Sequence, residues 1–171
     1  MLFRVQTFIK RPGILITDLS SLYEKESTYF IEISNEAELI RYGNQFDFTC
    51  LEGAIKLECY GESLLDVSAW DVIDGMWLYL LDAMENLKET GYGEMNFPNQ
   101  ALVLTLKSAS EQFVLYTLHT SPPVKAVLPK QDFFMMVLGG AEQFFKTMER
   151  CFKENFQYFS EIKRIEALKR Q

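Results

Sequence analysis

The stretch SAWDVIDGMWLYLLDAMENLKETG, residues 68–91, decides the fold class because it separates two groups of predicted strands. Ser68 and Asp71 have the spacing of a capping box, which closes the start of a helix. Gly91 stands where a helix commonly ends in a residue with positive φ. We therefore predict a helix over about 68–90. Its apolar side chains recur at spacings of three and four residues, at Ile73, Met76, Trp77, Leu80, Met84 and Leu87.

Short runs of apolar, aromatic and β-branched residues precede this helix, and their alternation predicts strands. The last two runs flank Glu52-Gly53 and predict an antiparallel hairpin that Gly61 closes. The predicted strands are residues 2–9, 14–17, 29–34, 46–51 and 54–60.

The residues after the helix predict a second hairpin, a short strand and a long last helix. The hairpin strands are 101–106 and 112–118, and a short strand lies near 124–128. The predicted last helix, about 130–168, contains Gly139-Gly140, which indicates a kink or a close approach of backbone. Its apolar stripe is Phe134, Val137, Ala141, Phe145, Met148, Phe152, Phe156 and Phe159.

This order of elements, without a regular βαβα alternation, predicts an α+β fold. We expect a largely antiparallel sheet of five or more strands, with the helices at about 68–90 and 130–168 packed on it. The length of 171 residues suits a single domain over 1–171, whose charged end, 163–171, either frays or extends beyond the body. Trp77, Phe145, Met148 and Phe152 are expected in the core.

Composition limits the classes of partner. The net charge of −7 argues against direct binding to nucleic acid or to an anionic membrane surface. It permits a basic partner, although acidic residues also serve solubility alone. The three cysteines, Cys50, Cys59 and Cys151, form no C-x-x-C motif, so we expect neither a disulfide framework nor a zinc site. Without a signal-peptide or membrane-spanning pattern, the expected location is the cytoplasm.

No catalytic, cofactor or metal motif is found. The one histidine, His119, ends a predicted strand, and no G-x-S-x-G motif accompanies it. Asp71 and Asp74, with Asp66 and Glu62 nearby, could bind a hard cation or act as an acid/base pair. Acidic residues at the start of a helix are also explained by the helix dipole. We therefore expect no catalytic residue, no cofactor and no metal.

Negative charge is concentrated in the middle of the chain. Residues 24–94 hold 16 acidic and 4 basic side chains, whereas residues 143–171 hold 4 acidic and 7 basic ones. Acidic groups interleaved with aromatic rings suit an interface with a basic protein. The same residues are also explained as a solvated helix face beside core tryptophans. The predicted partner-binding residues are Trp70, Asp74, Asp82, Glu85, Glu89 and Tyr92.

Three segments resemble small bacterial immunity proteins of polymorphic and contact-dependent toxin systems. They are Trp70-Asp71-x-x-Asp74-Gly75-x-Trp77, then Phe97-Pro98-Asn99-Gln100, then Leu128-Pro129-Lys130-Gln131-Asp132-Phe133-Phe134. The resemblance spans about residues 45–150 and matches no single family. It implies a non-enzymatic cytoplasmic inhibitor that binds one toxin domain.

Three function classes follow from the sequence. The first is an immunity-type inhibitor that neutralises a basic partner. The second is a small enzyme that uses the carboxylates Asp71 and Asp74. The third is a self-associating structural domain, a homodimer whose phenylalanine-rich last helix packs against a second copy.

Overall fold

A computed structural model describes residues 3–170, and within them the fold is α+β, with two antiparallel sheets. The strands are β1 (Phe3–Lys10), β2 (Phe30–Glu32), β3 (Glu52–Cys59), β4 (Glu62–Leu65), β5 (Asp71–Val72), β6 (Tyr92–Asn96), β7 (Val103–Ser108), β8 (Phe113–Leu118) and β9 (Val124–Pro129). The α-helices are α1 (Glu26–Tyr29), α2 (Glu36–Tyr42), α3 (Ile73–Thr90), α4 (Lys130–Cys151) and α5 (Phe159–Lys169).

The two sheets come from the two halves of the chain. Sheet A has the strand order β2-β1-β3-β4, with β5 paired to β3, and all of its strands precede α3. Sheet B has the order β6-β7-β8-β9 and lies between α3 and α4 in the chain. The main helices α3 and α4 pack on the sheets, which confirms the predicted α+β class and the two principal helices.

The predicted hairpin of 46–51 with 54–60 is wrong. Residues 46–51 form a turn, in which the Asp47 carboxylate accepts hydrogen bonds from the Thr49 amide and hydroxyl. Strand β3 pairs instead with β1 and, through a turn at Tyr60-Gly61, with β4. Phe46 and Phe48 alternate because both rings pack against the core from this turn.

The other strand predictions of the first half have mixed outcomes. The prediction for 2–9 is confirmed by β1, with Leu2 outside the described residues, and the one for 29–34 is confirmed at β2. Residues 14–17 form no strand, since only Ile16 of this run packs against the apolar cluster beneath it. The sequence reasoning missed α1, α2, β4, β5 and β6.

Helix α3 begins later than predicted. The Ser68 amide and hydroxyl donate to the Asp66 carboxylate in a single turn of 3-10 helix, while Asp71 belongs to β5, so the predicted capping box does not exist. The helix starts at Ile73, and every member of its predicted apolar stripe is buried. Gly91 ends it with φ +80°, as predicted.

The predicted last helix is two helices. The chain leaves the helical path after Cys151, and the buried Phe152, Phe156 and Tyr158 fill the core from the segment before α5. The close approach predicted at Gly139-Gly140 is confirmed, because a Cβ on Gly140 would lie 2.7 Å from Val5 and 2.8 Å from Trp77.

The core lies between the sheets and the main helices. Trp77, Phe145, Met148 and Phe152 are buried in it, as predicted. A smaller cluster lies on the other face of sheet A, around Phe8. No helix within residues 3–170 is long and apolar enough to cross a membrane.

Candidate functional site: a groove between helix α3 and strand β6

A groove of about 410 Å³ runs along the boundary between α3 and β6. Gly93 allows this boundary to be tight, because a Cβ at this position would lie 1.8 Å from the carbonyl oxygen of Ala83 on α3. The approach brings exposed helix side chains beside the outward side chains of the strand. The lining residues are Tyr79, Asp82, Glu94, Asn96, Phe97 and Pro98.

Glu94 is the carboxylate that β6 contributes to the groove. It accepts hydrogen bonds from the Tyr92 hydroxyl at 2.7 Å and from the Asn96 side-chain amide at 3.1 Å. These bonds, with a smaller contribution from His119, lower the pKa of the Glu94 carboxyl. The hydrogen bond from Tyr92 to Glu94 also raises the pKa of the Tyr92 hydroxyl. The edge of the groove is therefore anionic at neutral pH.

Asp82 belongs to the groove and also to an ion-pair network. Its carboxylate and that of Glu85 both accept from the guanidinium of Arg164 on α5. Arg164 lowers the pKa of Glu85. The Asp82 side chain is nevertheless 54% exposed, whereas the Glu85 side chain is 34% exposed. Both residues thus have a structural partner within the chain, and Asp82 remains accessible to a second one.

The structure separates the other predicted partner-binding residues. Glu89 is exposed on α3, and Asp74 is half-buried, with its carboxylate accepting from the Gly75 amide. Trp70 is half-buried against the smaller cluster of sheet A. Tyr92 stays beside the groove through its hydrogen bond to Glu94. Of the predicted set, only Asp82 lines the groove itself.

The predicted partner-binding set leaves out Tyr79 and Glu94, the other two principal groups of the groove. Tyr92, Glu94 and Asn96 alternate, so recognition of β6 would have placed these three side chains on one face. Tyr79 is 45% exposed although it lies within an apolar helix sequence. The helical period places it away from the buried stripe, and this signal was available.

Asp71 is a structural carboxylate. It is 3% exposed and accepts hydrogen bonds from the amides of Val72, Asn99 and Gln100 at 2.7, 2.8 and 2.8 Å. The Gln100 side-chain amide also donates to the carbonyl of Trp70. These bonds fasten the 97–100 loop, which leads from sheet B, to β5 of sheet A. Two of the three segments that carry the resemblance to immunity proteins are therefore in contact.

The remaining candidates for chemistry are His119 and the three cysteines. The His119 ring is exposed, with Nε2 3.0 Å from the Thr105 hydroxyl oxygen. The three cysteines are free, and burial raises the pKa of the Cys59 and Cys151 thiols. No group of three metal-ligating side chains occurs in the described part of the chain.

A larger cavity, of about 750 Å³, lies where the ends of α3 and α5 meet the start of α4. Two lysines at its rim are already engaged: Lys130 donates to the Ser108 hydroxyl and the Ser110 carbonyl, and Lys169 pairs with Glu142. In the groove, by contrast, an exposed ring and exposed carboxylates stand together.

Comparison of the chain with protein-family models, curated proteins and solved structures finds no match.

Proposed function

We propose that this chain is a non-enzymatic binding protein of the immunity type, which neutralises a basic protein partner in the cytoplasm. The observation that carries the proposal is the groove, which brings Tyr79, Asp82 and Glu94 together on an exposed surface. A lysine or arginine side chain of a partner fits this surface, since carboxylates pair with its charge and tyrosine faces attract cations.

The charge distribution supports the same partner class. Tyr79, Asp82 and Glu94 of the groove belong to residues 24–94, the part of the chain that carries 16 acidic and 4 basic residues. A field of one sign accelerates the encounter with a surface of the opposite sign. The exposed Tyr79 and Tyr92 rings supply apolar area for the contact that follows.

Two observations support a role without catalysis. The carboxylate of Asp71 is fully engaged by backbone amides, which accounts for its burial. His119 is exposed at the end of a strand, where its ring contacts a threonine hydroxyl. The free thiols of Cys50, Cys59 and Cys151 fit a reducing compartment and so support the cytoplasmic location.

The experiment compares a groove variant with a matched control. The groove variant carries Tyr79→Ala and Asp82→Asn, which remove a ring and a charge but leave Glu85 to hold Arg164. The control carries Tyr60→Ala and Glu62→Gln, an exposed tyrosine and carboxylate at the β3–β4 turn. The parent and both variants are used to capture partners from the native host.

The proposal requires a basic protein that the parent and the control retain and the groove variant loses. Its association rate with the parent should fall steeply as salt is added. The groove variant should associate about tenfold more slowly at low salt. An acidic captured protein, or one that all three proteins bind equally, would overturn the proposal.

A further inference from the structure

The outer face of sheet B is only partly covered. Residues of strands β6 to β9 that enter the main core are buried, and most of those that point away from it are exposed or half-buried. Thr117 is the outward residue that is buried, and His119, which follows β8, contacts the outward Thr105. Three large outward side chains remain exposed to 46%, 42% and 61%, namely Tyr92, Phe113 and Val127.

The strand register arranges this face in rows that cross all four strands. One row is mostly apolar and consists of Tyr92, Lys107, Leu115 and Val127. The next row begins with an acid and ends with a base, and consists of Glu94, Thr105, Thr117 and Lys125.

The second row has opposite charges at its two ends. Glu94 lies on the edge strand β6, and Lys125 lies on the other edge strand, β9. Adjacent strands are about 4.8 Å apart, so about 14 Å separates the two positions and they do not pair with each other. Neither Lys107 nor Lys125 forms an ion pair within residues 3–170.

We propose that a second copy of this chain covers the face, in a two-fold symmetric sandwich of the two B sheets. A two-fold axis parallel to the strands, between β7 and β8, preserves each row and reverses its order. Glu94 of one copy then faces Lys125 of the other. In the apolar row, Tyr92 faces Val127 and Lys107 faces Leu115, so the residues on the two edge strands complement themselves in charge and in apolar character.

Two other routes to self-association are less favourable. Most phenylalanines of the last helical region, including Phe145, Phe152 and Phe156, are buried within the chain, whereas Phe159 is 66% exposed. Edge-to-edge addition at β9 is disfavoured, since Lys125 and Pro129 stand on that strand and such residues protect sheet edges. The face, about 20 Å on each side from strand spacing and rise, makes a small interface. We therefore expect a dimer that dissociates at micromolar concentrations.

This proposal goes beyond the binding of a basic partner. Tyr79 and Asp82 lie on α3, outside the face, whereas Glu94 and Asn96 of β6 border both surfaces. The groove variant Tyr79→Ala with Asp82→Asn should therefore remain a dimer. Loss of the partner in that variant with the dimer intact would separate the two surfaces.

The test is sedimentation equilibrium of the full chain from micromolar to near-millimolar concentration. We expect a monomer–dimer equilibrium for the parent. Glu94→Lys and Lys125→Glu should each raise the dissociation constant at least about tenfold, because each places like charges on both sides of the contact. The double variant should restore it to within about threefold of the parent, since the opposite charges then face each other again.

Glu62→Lys, an equal change of charge at the exposed start of β4, is the control and should leave the dimer unchanged. The exchanged residues are exposed, and thermal unfolding of each variant monitors the fold independently. A parent that stays monomeric throughout would overturn the proposal. If the parent dimerises but the double variant dimerises as weakly as the single variants, the proposed two-fold arrangement would be overturned.

Discussion

The rest of the chain covers the outer face of sheet A more fully than the outer face of sheet B. On sheet A, the apolar half around Phe8 and Phe30 is covered by the segment between β1 and β2, which contributes Ile16, Leu22 and Tyr29. The polar half is neutralised by cross-strand pairs, such as that between Arg4 and Glu58. Within residues 3–170, no comparable segment covers the outer face of sheet B and no ion pair joins its outward residues, although His119 contacts Thr105 and Thr117 is buried.

The difference follows from the lengths of the connections. Residues 11–29 join β1 to β2, a segment long enough to fold back over the sheet. Sheet B is a meander whose strands are joined by the short connections 97–102, 109–112 and 119–123. Short hairpin connections leave no chain to cover the second face. An uncovered face of this composition is a feature of binding surfaces.

The largest expected effect compares two phenylalanines on these outer faces. Phe8 is 5% exposed on sheet A, and Phe113 is 42% exposed on sheet B. Phe8→Ala should lower the free energy of unfolding by about 3–5 kcal/mol, because it empties a buried site. Phe113→Ala should change it by less than about 0.5 kcal/mol in the monomer.

Urea unfolding of both variants at low protein concentration provides the measurement. Low concentration matters because it keeps a sheet B dimer dissociated. Equal losses of stability for the two variants would contradict the difference between the two outer faces. They would mean that the outer face of sheet B is covered within the single chain.

The next effect concerns the link between the sheets at Asp71. Asp71→Ala removes the acceptor of the Asn99 and Gln100 amides and should cost about 2–3 kcal/mol in unfolding free energy. Glu89→Ala, at an exposed position of α3, should cost less than about 0.5 kcal/mol. Thermal unfolding compares the two variants. A stable Asp71→Ala protein would show that the 97–100 loop is held by other contacts.

Periodicity in the sequence predicted which residues are buried better than it predicted which element they belong to. Spacings of three and four residues identified the buried face of α3, and alternation identified the β7–β8 hairpin. The same spacing continues through Phe152 and Phe156, which are buried although they lie outside a helix. Phe46 and Phe48 alternate in a turn for the same reason. Periodicity reports burial, and tertiary packing can satisfy burial without the expected element.

The groove was less predictable than the fold because it joins distant segments. Acidic residues on α3 were found from their charge, but Arg164 lies 82 residues beyond Asp82 and pairs with it only in the folded chain. Glu94 lies in the groove because it belongs to β6, a strand that the sequence did not predict. Charge composition alone does not separate carboxylates that bind within the chain from those that stay available.

A smaller effect is expected from loss of the hydrogen bond that joins the inner face of sheet B to sheet A. The Tyr116 hydroxyl donates to the carbonyl of Leu64 at 2.9 Å in a buried position, and burial raises the pKa of this phenol. Tyr116→Phe leaves the carbonyl without this donor and should cost about 1–2 kcal/mol in unfolding free energy. Tyr79→Phe, at an exposed hydroxyl, is the matched control and should be neutral. Equal melting temperatures would contradict the expectation.

The smallest effect concerns Arg164, which holds α5 outside both sheets. Arg164→Met keeps an apolar stem but removes the pairs to Asp82 and Glu85. These pairs are partly exposed, so the loss at neutral pH should be at most about 1 kcal/mol in unfolding free energy. Arg164 lowers the pKa of Glu85 below its ordinary value of 4.5. The contribution is therefore present above that value and is lost as the pH falls through the lowered pKa.

The parent and the Arg164→Met variant should accordingly converge in stability in acid, while at neutral pH the parent is more stable. Arg4→Met, which removes a more exposed pair at 3.8 Å, is the control and should show little difference at either pH. Hydrogen exchange of the α5 amides localises the effect, because those amides should exchange faster in the Arg164→Met variant at neutral pH. A deficit that stays constant from neutral to acid pH would show that the arginine stem stabilises α5 by packing.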